Sequence, residues 1–147
     1  MAEHTIKAFD EEIDRLRGLI AEMGGRAEAA IENAMLALQR QDQRLAAEVV
    51  ADDKRIDALE AEVEKLVVQI IALRAPMAND LRDVIAALKI VSGVERIGDY
   101  AKNITKRVPL IAANQHKLQP VSLLPSMGQV AAEMVAANVG LGQMVLN

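Results

Sequence analysis

Apolar residues recur at steps of three and four through the first third of the chain: Ile6, Phe9, Ile13, Leu16, Ile20, Met23, Ala27, Ala30, Ala34 and Ala37. A stripe sustained over so many turns predicts one helix with a single buried face, from Thr5 as N-cap to Arg40. Gly24-Gly25 breaks the composition but not the phase, so a bend is expected there. Asp42 is the predicted cap of a second helix over 43–74. Its seam runs Leu45, Val49, Asp52, Ile56, Leu59, Val63, Leu66, Ile70 and Leu73, with Asp52 its one polar break. Asp53 and Asp57 each lie one position past that seam and should flank the core. Arg74-Ala75-Pro76-Met77 ends the helix, with Pro76 suited to the first turn of the next.

The third helix is predicted over 77–113, kinked near Pro109, with two apolar faces. One is Met77, Leu81, Val84, Leu88 and Val91, whose next steps land on Glu95 and Asp99. The other is Ile90, Val94, Ile97, Ala101, Ile104, Val108 and Ile111. A loop at 116–121 precedes a fourth helix over 122–147, capped by Ser122. Between Val121 and Asn147 the only charge is Glu133. An apolar helix with almost no solvent face needs partners, so a homo-oligomer, a dimer, or a truncated chain is expected. The fold class is therefore all-α: an antiparallel three-helix bundle of long helices over 1–115, then the loop, then the extra helix.

Composition supports this. Hydrophobic residues make up 52% of 147 residues, yet Phe9 and Tyr100 are the only aromatics, so Leu, Ile, Val, Met and Ala must fill the interior. That suits helix-on-helix packing and argues against a sandwich or barrel. With 17 basic and 21 acidic residues the net charge is −4, and no basic stripe with stacking aromatics marks a nucleic-acid binder. The absence of cysteine excludes disulfides, zinc-thiolate and iron–sulfur sites. No basic start followed by an apolar run opens the chain, and no apolar stretch reaches membrane-spanning length. A soluble, cytoplasmic protein that meets a membrane only through partners is expected.

The chemistry lies in two acidic clusters, Asp52-Asp53-Lys54-Arg55-Ile56-Asp57 and Glu95-Arg96-Ile97-Gly98-Asp99. Asp53 with Asp57, and Glu95 with Asp99, are i,i+4 pairs on one helix face, a repulsive arrangement unless a cation compensates. Asp57 lies 19 residues before Pro76 and Glu95 lies 19 after it; Asp53 and Asp99 are each 23 away. In an antiparallel hairpin all four carboxylates come level, roughly 30 Å from the turn. Such an all-oxygen set suits Mg²⁺, Ca²⁺, Mn²⁺ or iron. Gly98 inside a helix costs about 1 kcal/mol relative to Ala, which suggests close approach of a neighbour. The duller reading keeps the acids solvated or paired with Arg96 and Arg55, and Glu60, Glu62 and Glu64 as a solvated face. No catalytic set is present: His4 and His116 are isolated, and no phosphate loop or nucleophile elbow occurs.

Asp53-x-x-Ile56-Asp57-x-Leu59-Glu60, Leu73-Arg74-x-Pro76-x-Ala78-x-Asp80-Leu81-Arg82, Ala86-Ala87-Leu88-Lys89-Ile90 and Glu95-Arg96-Ile97-Gly98-Asp99-x-x-x-Asn103-Ile104 together resemble the PhoU family over residues 3–108. The resemblance implies two repeats of a three-helix bundle whose Glu/Asp-x-x-x-Asp pairs hold a metal cluster, often iron. These carry over onto Asp53, Asp57, Glu95 and Asp99, with a divalent or ferric cluster (Fe, Mn, Mg or Zn) as the implied cofactor. It also implies no enzyme. The function would be restraint of a phosphate-sensing histidine kinase and of the ATPase subunit of the Pst transporter when phosphate is plentiful.

Two departures stand out. Ser92-Gly93 replaces an acid common in the family before Glu95, removing one ligand. The chain is also short, with Met127-Gly128 echoing Met23-Gly24 as though residues 122–147 opened a truncated second repeat. The alternative to a metal-binding adaptor is a structural helical oligomerisation module without metal.

Overall fold

The computed structural model describes residues 2–114 and position 136. Four helices cover the described region: α1 Ala2–Arg40, α2 Gln43–Arg74, α3 Asn79–Thr105 and the short α4 Val108–Ala113. Residues 1–113 form one compact unit. The predicted loop 116–121, and helix 122–147 but for position 136, lie outside the described residues.

The α1–α2 corner forms as its sequence predicts. Asp42 sits in extended backbone and its carboxylate accepts the Leu45 N–H at 3.0 Å, satisfying one of the N–H groups that a helix start leaves unpaired. Helix α1 starts at Ala2, so Thr5 lies inside it and is no cap. It also runs unbroken through Gly24-Gly25, because Met23 and Ala27 on either side are held in the core.

The second corner differs from expectation. Ala75 takes the left-handed conformation (φ 44°, ψ 55°) and returns its N–H to the Ile71 carbonyl at 3.2 Å. Pro76 therefore lies in the connection rather than in the first turn of α3, which starts only at Asn79 after Ala78, also at positive φ. The third helix is likewise not a kinked rod to Ala113. It stops at Thr105, and Lys106-Arg107 form a turn before α4. Pro109 explains the position of the break. It has no N–H to donate, and its ring would strike the carbonyl four residues earlier, at Thr105. The chain turns just upstream and Pro109 enters α4 in its first turn, where no N–H is required.

Ion pairs show the helix directions. Glu12 meets Arg74, Glu22 meets Arg55 and Arg26 meets Asp52, so one number rises as the other falls and α1 runs opposite to α2. Asp53 beside Lys102 and Ile56 beside Gly98 give the same sense for α2 and α3. The core tapers along this axis. From the α2–α3 turn to the level of the acidic cluster it is built from Met23, Ile56, Leu59, Val63, Val67, Ile70, Val84 and Val91. At the other end it shrinks to Ala30, Ala34, Val49 and Ala101, then Ala37, Ala46 and Val108. Alanine there lets helix axes approach, while each of the larger side chains contributes about 1.5–3 kcal/mol by leaving water.

The seams shift by one position in places. In α2 the buried set includes Asp53 and not Asp52, whose carboxylate turns outward to Arg26 at 2.8 Å. In α3 the buried face is Val84, Ala87, Val91, Gly98, Ala101 and Thr105, lying between the two predicted faces. Leu73, Met77, Ile90 and Ile97, all placed on seams by periodicity, are exposed. No described helix is long and apolar enough to cross a membrane.

Candidate metal centre

The α2–α3 register brings the acids together at the height that symmetry about Pro76 predicts. Asp57 and Glu95 each offer an oxygen to a group whose ligand atoms all lie within 4.8 Å of one another. The third member is Glu60, which was expected on a solvated face and is instead half-buried. Asp99 joins through a hydrogen bond with Glu95. Asp53 lies on the core side of this cluster, not on its flank. Only 5% of it is exposed.

Desolvation and mutual repulsion raise the proton affinity of Glu95, Asp57 and Glu60. Partial burial, then the hydrogen bond and negative charge of Asp99, with Glu60 and Asp57 behind, push the Glu95 carboxyl up to about 7. Asp57 is raised by burial and then by Asp53, against an opposing pull from Lys102. Glu60 is raised by burial, then by Glu64 and Asp57. A cation placed here would meet groups that resist ionising together.

The structure supplies one internal cation. Lys102 donates to Asp53 Oδ2 at 2.7 Å and lies 3.3 Å from Asp99 Oδ1. Its own proton is held more tightly in return, chiefly through the Asp53 hydrogen bond. Arg96, the expected neutralising residue, is exposed and makes no ion pair among the described residues, because it sits on the far face of α3. Arg55 turns to Glu22 and Glu62. Lys102 was legible in principle, three residues past Asp99 on the same face, and Glu60 likewise three past Asp57.

Gly98 has the role its sequence suggests. A Cβ there would lie 3.2 Å from Asp53 Oδ1 and 3.2 Å from Ile56 Cδ1, so the helices meet closely at that turn and a methyl would push its neighbours back by a few tenths of an ångström. Asp53 Oδ1 is itself fully covered and has no hydrogen-bond partner. A buried carboxylate oxygen left unpaired is costly. The orphan faces the Gly98 contact, one turn before Asp57, and the three convergent carboxylates fit a hard cation by their all-oxygen donor set. Asp57, Glu60 and Glu95 would hold it, with Asp53 and Asp99 adjoining.

The PhoU domain matches residues 20–108, most of the three-helix unit and the whole carboxylate cluster. The chain belongs to the PhoU family. A relative in Zymomonas mobilis subsp. mobilis, a phosphate-specific transport system accessory protein PhoU homolog, is 54% identical over 132 residues, covering 90% of this chain and 55% of its own length. A homolog of the same description in Caulobacter vibrioides is 47% identical over 111 residues, 76% of this chain and 48% of the relative. The phosphate-specific transport system accessory protein PhoU of Edwardsiella tarda is 37% identical over 133 residues, 90% and 54%. This PhoU-family chain thus spans about half the length of the curated relatives it matches.

Proposed function

We propose that this PhoU-family chain is a non-catalytic regulator of phosphate uptake and phosphate-regulon signalling. In this reading it is a metal-binding helical adaptor, cytoplasmic and self-associating, that acts on a Pst transporter ATPase subunit and a phosphate-sensing histidine kinase. The observation that carries the metal-dependent part is the convergence of Asp57, Glu60 and Glu95 oxygens within 4.8 Å of one another. Support for a transport-linked role comes from the names of the relatives. Residues 122–147 are read as opening a second repeat, which accords with similarity that extends over 132 residues, beyond the 20–108 match.

A bound hard cation supplies positive charge among acids that otherwise repel. The protein's own part is to hold two rods in register. Asp57 and Glu60 project from α2, Glu95 and Asp99 from α3, and Gly98 keeps the rods close enough for the two sets to meet. Relief of repulsion stiffens the hairpin, and a partner that prefers the stiffened form then binds better by its differential affinity alone. Melting temperature with and without Mn²⁺, Fe²⁺ or Mg²⁺ tests this, with Glu95→Ala plus Asp99→Ala as comparison. Metal should raise the melting temperature of the parent and not of the double variant; equal responses rule the coupling out.

One observation favours the alternative of a metal-free structural module. Lys102 already sets one positive charge between Asp53 and Asp99. Under that reading the double alanine variant is neutral or stabilised, and elemental analysis of the purified protein finds no stoichiometric metal.

A further inference from the structure

We propose that the outward face of α3 is a docking surface for an acidic amphipathic helix of a partner protein. Arg82, Lys89 and Arg96 repeat at intervals of seven. On a helix that interval returns to the same face with a drift of only about 20° per step. The stripe is about 21 Å long by the helical rise. It lies opposite the buried face of Val84, Ala87, Val91, Gly98 and Ala101, and all three cations are exposed. None has a carboxylate within ion-pair distance among the described residues, a state they share with Lys7, Arg15, Lys54 and Lys65.

Apolar side chains flank the stripe, Ile90 and Ile97 each one residue, or 100°, round the helix from a cation. Ile90 is 53% exposed, Ile97 42%, and Tyr100, in line with the stripe, 55%. Of the acids of α3, Asp80 lies in the first turn, Asp83 heads the line of Ile90 and Ile97 at its N-terminal end, and Glu95 and Asp99 turn toward α2. In a chain of net charge −4, the outward side of α3 from Lys89 to Tyr100 carries cations and hydrophobics and no acid. Such segregation matches a helix docking side by side: apolar residues form the seam and charges along its edge set partner and register.

Charge complementarity selects the occupant. The chain's own segment 121–147 carries a single acid, Glu133, and cannot answer three cations. A second copy meeting this face with its own would set like against like. Membrane surfaces recruit denser clusters, typically four to eight basic residues, and nucleic acid would call for stacking aromatics beyond the lone Tyr100. Carboxylates at i, i+7 and i+14 of a partner helix match the stripe. This inference does not depend on the metal reading.

The test uses the full chain and a labelled amphipathic peptide of about 21 residues, three heptads with an Ile/Leu seam and Glu along one edge. A twin peptide carries Lys in place of Glu, and vesicles containing about 30% phosphatidylserine form the third arm. The Glu peptide should bind at least about tenfold more tightly than the Lys peptide, with affinity falling as salt rises. The triple variant Arg82→Glu, Lys89→Glu, Arg96→Glu should reverse that preference while circular dichroism and melting temperature stay unchanged. The milder Lys89→Gln, Arg96→Gln variant should show a partial loss. Equal binding of both peptides, no binding of either, vesicle binding without peptide preference, or self-association abolished by the triple variant would each overturn the proposal.

Discussion

Replacing Lys102 by Met exposes the energetic logic of the α2–α3 contact. The substitution keeps the length of the stem and removes the charge that answers Asp53. Asp53 is 5% exposed, its Oδ2 takes the only hydrogen bond described for the carboxylate at 2.7 Å, and its Oδ1 is already unpaired. Removing one partner of a buried ion pair costs about 3–5 kcal/mol because a charge is stranded. The Lys102 side chain is 26% exposed, so water recovers part of this, and a loss of about 2–4 kcal/mol is expected. Urea denaturation measures it as a fall in midpoint at constant slope. A double-mutant cycle with Asp53→Leu should recover most of the loss, since the stranded carboxylate is then gone. Mn²⁺ should stabilise Lys102→Met more than the parent, because the cluster then lacks its internal cation. A loss below about 1 kcal/mol, with no coupling to Asp53, would refute the claim that this pair holds the two helices in register.

Stability near neutrality should follow Glu95. Its folded value of about 7 stands above the ordinary 4.5, so the folded state favours the protonated form; the contribution is greatest below pH 4.5 and is lost as pH rises through 7. The full difference is worth about 3 kcal/mol at 1.36 per pH unit, and solvent screening reduces it to about 1–2. In chelator, melting temperature should therefore fall between pH 5 and 8, and Glu95→Gln should flatten the profile; an unchanged slope in that variant contradicts the assignment. Gly98→Ala should gain about 1 kcal/mol of helix propensity but lose more, for a net loss of about 1 kcal/mol by denaturation, since Ile56 is fully buried and Asp53 is tethered by Lys102. Ala75→Gly should stabilise the protein by about 1 kcal/mol, because Ala75 sits at φ 44° where a Cβ is unfavourable; a lowered melting temperature would argue against that turn.

Much of this architecture is written locally. Asp42 followed by an apolar stripe specifies a helix start because a cap bonds its own next turn, and the α2 boundaries follow from that cap and from Pro76. The antiparallel register is also legible, since equal rise on two arms of a hairpin brings Asp57 level with Glu95 whatever surrounds them. Glycine in a helix carries a cost that hinted at a close approach at Gly98. Gly18, Gly24, Gly25 and Gly93 carry the same cost with nothing within 4 Å, so only the packing of α2 on α3 singles Gly98 out. Periodicity alone was less sure of rotation. A shift of one residue turns a side chain by 100°, so Asp53 could be placed outside the core and Ile97 inside it when the reverse holds.

What the chain determines by itself is the run of its rods and the height at which its acids meet. Which acid is buried, which lysine answers it and which face of α3 is left to solvent depend on how three helices share one core. Lys102 and Asp53 are distant in sequence and become partners only when α2 and α3 pack. Their charge balance is set by burial, and burial belongs to the tertiary structure because no single helix can remove its own side chains from water.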